Sequence, residues 1–463
     1  MHVTENISMS EPIRRLFWKY TIPTLAAVVI NGLYVVVDGI FIGQFIGADG
    51  LAAINLIWPL YGCVLGFGGM IGTAGAALFS IEKGKGDIKM ARRYLGNSML
   101  LLGVAAVFIY ILLRLFSEQA LTLQLSDNET VLHFGMDYIS ILAPMSFWTL
   151  CATAFPLLIR NDNHPRLATK LMVVGALCNI VGDYVLIAHA GWGMKGAAAA
   201  TVGAQAVISI IGFRHFFSRR ANMRLQLKDL RLSLFASYKT LVLGFSSFFM
   251  YVYFSFLAAL YNYMFARYGS AVTVAAYALV GYYAGLYYMF SEGVTSGVQP
   301  IISFNYGANR YYNIRRTLGM AVRVILISAV VFLGIVYAFP NLLINIVNRD
   351  DPALHEASLL GLRLHMITCY LEAFILLATV YFQSVDSARK ATLISLVNLF
   401  IQVPFVIILP MYWGVAGIWL AYPVANVPLS IYVFFALVRD LRQKTGNLKI
   451  RHKAGMLKRE EAV

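Results

Sequence analysis

The sequence predicts an all-α membrane protein, with twelve transmembrane helices in two six-helix bundles related by an internal repeat. Three observations carry this. First, 59% of the 463 residues are hydrophobic, only 13% are charged, and the mean hydropathy is +0.70. A soluble chain of this length needs more polar residues to cover its surface. Second, apolar stretches of at least ~18 residues, long enough to cross a bilayer, recur along the whole chain. Third, motifs of the first half return in the second at a nearly constant offset.

The first span, at 17–45, carries a carboxylate, Asp38, within its apolar run. A charge at the bilayer centre costs about 2.5–3.5 kcal/mol, so it is seldom left there without a use. Pro23 removes a backbone donor from the same span and marks a candidate bend. The second span, at 52–81, is lined by Gly62, Gly66, Gly68, Gly69, Gly72 and Gly75, which fits close helix packing. Spans at 94–116, 134–159, 167–189 and 195–217 complete the first bundle. The second bundle is expected from 240–266, 271–304, 317–339, 357–384, 391–411 and 415–437. Several exceed the minimum length, which implies tilt or bending, and Pro144, Pro156, Pro300, Pro404, Pro423 and Pro428 fall inside them. The expected divisions are therefore an N-terminal bundle at 1–217, a linker loop at 218–239, a C-terminal bundle at 240–437 and a basic tail at 438–463.

The net charge of +15 arises from loops between spans, not from a folded basic face. Nucleic-acid binding is therefore not expected. With a cytoplasmic N-terminus, 32 of the 37 Lys and Arg lie on the cytoplasmic side, which orients the chain with both termini inside. Cys63, Cys151, Cys178 and Cys369 all lie in apolar segments without metal-ligand spacing, so neither a disulfide framework nor a zinc site is expected. No cleavable signal peptide is expected at the N-terminus. A membrane-embedded enzyme handling diphosphates needs clustered Asp, and the adjacent Asp350 and Asp351 lack that spacing.

The repeat is visible residue by residue. Gly84 matches Gly307, Arg92 and Arg93 match Arg315 and Arg316, and Gly96 matches Gly319, all 223 residues apart. Arg166 to Thr169 align with Arg389 to Thr392 at the same offset, and Trp192-Gly193 with Trp413-Gly414 at 221. Halves with six spans each share one orientation, with a pseudo-two-fold axis along the membrane normal and a cavity between them. Such an architecture suits alternating access.

Of 22 Asp and Glu, only Asp38, Asp183, Glu292 and Glu372 lie well inside spans. Counting from the span ends at 1.5 Å per residue, Asp38 and Asp183 lie about 10 Å below the outer interface. Asn179 shares a helix face with Asp183, and Thr201 enters at the same depth. Asp38, Asn179, Asp183 and Thr201 thus make an all-oxygen set fit for a proton or Na⁺; no other metal and no cofactor is expected. Glu292 and Glu372 are candidate ion or substrate groups in the C-terminal half. That half has no second Asp pair, since Asp38 falls on Tyr261 and Asp183 near Val406. Among the many tyrosines of the seventh and eighth spans, Tyr261, Tyr277, Tyr283 and Tyr287 are candidates to line a cavity for flat organic cations. Glu82 and Asp87, in a basic loop, are expected in water.

These residues resemble a known family. Pro23, Asp38 and the run from Phe41 to Ala53, FIGQFIGADGLAA, resemble the first helix and loop of multidrug and toxic compound extrusion (MATE) transporters. Asn179 to Asp183, followed by Gly193 to Thr201, resembles the family's fifth-to-sixth helix signature, and Gln299 to Ala308 the end of its eighth helix in bacterial members. The resemblance is closest to the DinF-like bacterial branch. It implies a V-shaped twelve-helix antiporter of the bacterial inner membrane, expected as a monomer, that exports amphipathic, often cationic compounds against H⁺ or Na⁺. It implies that Asp38 and Asp183 carry the coupling ion with Asn179 and Thr201, and that a bend at Pro23 follows protonation. It leaves Glu372 as a C-terminal candidate and gives Glu292 no role. A flippase for lipids or lipid-linked precursors shares the two-lobed shape and remains the alternative; it would be expected to carry extra spans or a cationic cavity.

Overall fold

A computed structural model describes residues 11–124, 128–347 and 351–460, the side chains of 347 and 445–460 excepted. Among the described residues the regular elements are helices. They are α1 (Ile13–Phe45), α2 (Ala48–Lys85), α3 (Ile88–Thr122), α4 (Glu129–Leu142), α5 (Ser146–Asn161), α6 (Pro165–Asp183) and α7 (Gly193–Phe217). The second half has α8 (Leu234–Tyr268), α9 (Ala271–Gly307), α10 (Tyr311–Ala338), the short α11 (Pro340–Val347), α12 (Pro352–His365), α13 (Cys369–Ser384) and α14 (Ala388–Glu460).

Nine of the described helices are long and apolar enough to cross a membrane, and α4 with α5 makes a tenth span bent by 68°. The 37-residue, tyrosine-rich α9 and the break of α14 at Gly414 (φ 53°) complete the twelve expected spans. Lipid-facing surfaces can be read from exposed apolar side chains at helical spacing. On α3, Val104, Val107, Phe108, Ile111 and Leu115 all point outward, which water would not tolerate over such an area.

The repeat is written into the backbone. Gly86 (φ 83°) and Asn309 (φ 56°) are both left-handed and 223 residues apart, as are Asn163 (φ 68°) and Asp386 (φ 58°). Gly193 (φ 55°) matches Gly414 (φ 53°) at 221. The first four positions follow the ends of α2, α5, α9 and α13, where one residue of positive φ stops the helix, while Gly193 opens α7 and Gly414 breaks α14. The fourth and tenth spans break at equivalent points. α4 ends at Leu142 and α12 at His365, and α5 starts at Ser146 and α13 at Cys369. Pro144 lies in the first break, and a 3-10 turn at Met366–Thr368 fills the second.

Each half packs its own core: Ile71, Phe79, Leu95 and Phe155 lie in one, Val298, Ile302, Tyr381 and Phe382 in the other. The halves close on each other at the end bearing the basic loops. There α2 and α9 cross at Gly84 and Gly307; a Cβ on either would strike the carbonyl of Phe304 or Ile81. Arg160 donates to the Ser296 carbonyl (3.1 Å) and Asn161 to Gln299 Oε1 (2.7 Å) across the same seam. Toward the other end Val36 and Ile40 on α1, Tyr263 on α8 and Tyr282 on α9 stay exposed.

Two local expectations change. α8 starts at Leu234, six residues before the expected span, because Ser233 caps it by accepting from Ala236 N–H. Of Glu82 and Asp87, only Glu82 departs from the expectation of water; Asp87 is exposed. Glu82 is buried and pairs with Lys85 (2.9 Å), and Asp87 caps α3 by accepting from Met90 N–H (2.9 Å).

Candidate functional site

Helix geometry brings the four N-lobe residues together. α1 presents Asp38 and, one turn earlier on the same face, Tyr34. α6 presents Asn179 and Asp183, both buried, and α7 presents Thr201. Asn179 Nδ2 lies 3.4 Å from Thr201 Oγ1. The Asp38 and Asp183 carboxyls interact directly. Both Asp183 oxygens and Asp38 Oδ1 are buried and accept from no donor among the described residues. Unpaired buried carboxylate oxygens are costly, so their convergence points to an exchangeable guest. Directly after Asp183 the chain runs as a π-helical turn, Tyr184–His189, a distortion common at functional sites.

Two cavities adjoin this pair. Asp38 lines a small one of about 60 Å³. Asn179 lines a larger one of about 250 Å³ between the lobes. Tyr34, Tyr61 and Thr201 line both, so the acid pair is one side chain away from the larger space. Tyr61 accepts from Gln205 Nε2 (2.7 Å), and Gln205 Oε1 accepts from Thr149 (2.6 Å), which fixes this wall.

The far wall of the larger cavity carries Glu292 from α9, along with Tyr251 and Ser296. Arg160 of α5 lines the same space. It is buried, yet no ion pair within 4 Å forms between it and Glu292.

Glu372 sits elsewhere, inside the C-lobe. It accepts from Tyr253 (3.2 Å) and from Asn398 Nδ2 (2.9 Å), while Tyr253 accepts from Gln402, which accepts from Tyr261 (2.9 Å each). Its only adjoining cavity among those described is about 20 Å³.

The four tyrosines expected along the cavity do not reach it. Tyr261 stacks on Tyr277 with centroids 5.3 Å apart, Tyr287 donates to the Ile325 carbonyl (3.0 Å), and Tyr283 donates to the Leu343 carbonyl (2.8 Å). These rings bind their own lobe together: the hydroxyls of Tyr261, Tyr283 and Tyr287 find partners inside it, and Tyr277 is held by ring contacts with Tyr261, Phe265 and Trp419. The rings on the cavity are Tyr34, Tyr61 and Tyr251. Tyr34 was legible in the sequence from its spacing to Asp38; Tyr61 carried no signal beyond a generally apolar helix.

Pro23 lies within a continuous α1, and Thr169 of α6 donates to its carbonyl (2.6 Å). A further polar knot was not anticipated. Asp162, His164 and His215 bring their ligand atoms within 4.8 Å of one another. Asp162 is already committed: it accepts from the backbone N–H of Asn222 (3.0 Å) and Met223 (2.8 Å) and from His215 Nε2 (3.0 Å). Burial pushes its carboxyl up, but the hydrogen bonds of His164 and His215 and the charge of Lys83 outweigh this, holding it below the usual carboxylate range. The knot ties the linker to the N-lobe.

Comparison with known proteins agrees with this architecture. Multidrug export protein MepA of Staphylococcus saprophyticus is 20% identical over 423 residues, covering 91% of this chain and 93% of that protein. MepA of Staphylococcus aureus strain NCTC 8325 is 20% identical over 434 residues, covering 93% and 95%. A crystal structure of a MATE transporter in its straight conformation superposes with a TM-score of 0.87 at 18% identity, covering 94% of this chain and 98% of that one. A transporter of the MOP superfamily from Pyrococcus furiosus gives 0.87 at 19%, covering 94% and 97%. The MatE family model matches twice, at 23–185 and 246–408, and the two matches start 223 residues apart, the offset of the repeat. These matches span most of both lobes, and the chain belongs to the MatE family.

Proposed function

We propose that this protein is a secondary active antiporter that exports amphipathic, cationic organic compounds in exchange for protons. One observation carries the reading: two contacting carboxyls with three unpartnered buried oxygens, next to a cavity between two lobes. Two carboxylates so placed are not both easily ionised, so the pair suits one shared proton. A sodium ion would draw on the same carboxyl oxygens together with Asn179 Oδ1, which is also buried without a partner, so a separate sodium gradient is the discriminating arm.

In this scheme Glu292 and the rings of Tyr34, Tyr61 and Tyr251 receive the cation. Proton entry at Asp38 and Asp183 from outside favours release, and proton loss inside resets the lobes. The protein sits in the bacterial inner membrane with both termini cytoplasmic, as the Lys and Arg bias supports. A membrane potential adds about 2.3 kcal/mol per charge per 100 mV, enough to bias such a switch. A flippase for anionic precursors would want a cationic lumen, whereas this cavity sets Arg160 against Glu292.

Dye efflux from proteoliposomes under separately imposed pH and sodium gradients tests the reading. Efflux of a cationic dye driven by the pH gradient alone, and abolished by Asp38→Asn, is expected. Efflux that persists in Asp38→Asn would move the coupling site to the C-lobe.

A further inference from the structure

A second concave surface lies outside the space between the lobes. It is a groove of about 1180 Å³ between the start of α1 and the start of α6. Arg14, Arg15, Lys19, Arg166 and Lys170 line it, with Glu11 as the single acid. Glu11 is shared by Arg15 (3.4 Å) and Lys19 (2.6 Å). Arg14, Arg166 and Lys170 are exposed and have no ion pair or side-chain hydrogen bond among the described residues. Arg166 and Lys170 stand one turn apart on α6 and share its face. Trp18 (40% exposed) and Ile22 (57% exposed) extend the groove along α1.

This composition is graded. Cationic groups gather at the loop end, an amphipathic ring follows, and an aliphatic side chain lies further along the span. An anionic phospholipid at a membrane surface has the complementary order of phosphate, glycerol backbone and acyl chain. The geometry points to this groove as a binding site for an anionic phospholipid of the inner leaflet, its phosphate held by Arg14, Arg166 and Lys170. The inference goes beyond the export reaction and depends on it only for the orientation in the membrane.

The position gives the lipid leverage. Pro23 lines the groove, Thr169 bonds its carbonyl (2.6 Å), and Tyr20 donates to Asn163 Oδ1 (3.1 Å). A phosphate bridging Arg14 of α1 and Arg166 of α6 adds a third tie between α1 and the start of α6 with the turn before it. Lipid occupancy therefore restrains α1 against α6 at the level of Pro23.

Native mass spectrometry of the full chain in detergent, titrated with phosphatidylglycerol or phosphatidylethanolamine, tests this. Each Lys or Arg near an anionic lipid contributes about fivefold in affinity. Wild type is expected to prefer phosphatidylglycerol. The triple substitution Arg14→Gln, Arg166→Gln, Lys170→Gln is expected to weaken it by about tenfold or more, leaving phosphatidylethanolamine unchanged. Arg310→Gln, Arg315→Gln, Arg316→Gln removes as many exposed charges on the same side and is expected to keep the preference. Equal binding of the two lipids, or equal loss in both triple variants, would overturn the site. Displacement of phosphatidylglycerol by millimolar inorganic phosphate would assign the groove to a soluble anion instead. A large gain in affinity on removing residues 2–10 would make that segment the native occupant.

Discussion

Four carboxylates inside spans have three different fates, and their partners decide which. Glu372 is satisfied by Tyr253 and Asn398. Removing it strands one buried donor, Tyr253, at about 1–3 kcal/mol, and one half-buried donor, Asn398. Glu372→Ala is therefore expected to lower the midpoint of thermal unfolding in detergent, while Glu372→Gln, which still accepts one bond, loses less. Glu292 has no such partner and faces the cavity. Glu292→Gln is expected to leave stability nearly unchanged and to raise the KM for a cationic dye several-fold; an unchanged KM would remove it from the substrate path. Asp162 gives the pH dependence. Its folded pKa lies below its unfolded one, so its contribution is present above the ordinary carboxylate value and fades as pH falls through the folded value. Wild type should lose thermal stability in that acid window, and Asp162→Asn should be less stable at neutral pH with a flatter acid limb.

At the scale of elements, most of the helices were legible because a span must be apolar throughout and of near-fixed length. The Asp38 face was legible for the same reason: an acid in such a run stands out, and depth follows from counting. The tyrosines were not, because a ring in an apolar helix reads the same whether it faces a cavity or a neighbour. Tyr261 and Tyr277 stack inside the C-lobe, while Tyr34 and Tyr61 reach the cavity. The linker knot was hidden too, since Asp162 and Met223 meet only after two helices reverse. On α2, the glycine-rich face packs as expected: a Cβ at Gly72 would lie 2.7 Å from the Ala154 backbone. Gly72→Leu overfills that contact, and a loss of about 1–3 kcal/mol is expected in thermal or denaturant unfolding.

For the whole molecule, the repeat offset links sequence, backbone and closure. Gly84 and Gly307 are equivalent by the 223-residue offset, and they meet across the axis at the end where the lobes close. Side chains there wedge the lobes. Gly307→Val is expected to open this end, raising maleimide labelling of a cysteine placed at the buried Ser303 in a cysteine-free background; unchanged labelling would mean that the seam closes elsewhere. The central claim is that the Asp38 and Asp183 pair holds the proton exchanged for substrate. Proton release in weakly buffered detergent, on adding a cationic dye to the purified protein, tests it most directly. Wild type should release protons as dye binds, and Asp38→Asn and Asp183→Asn should bind dye without release. Release undiminished in both variants would contradict the account.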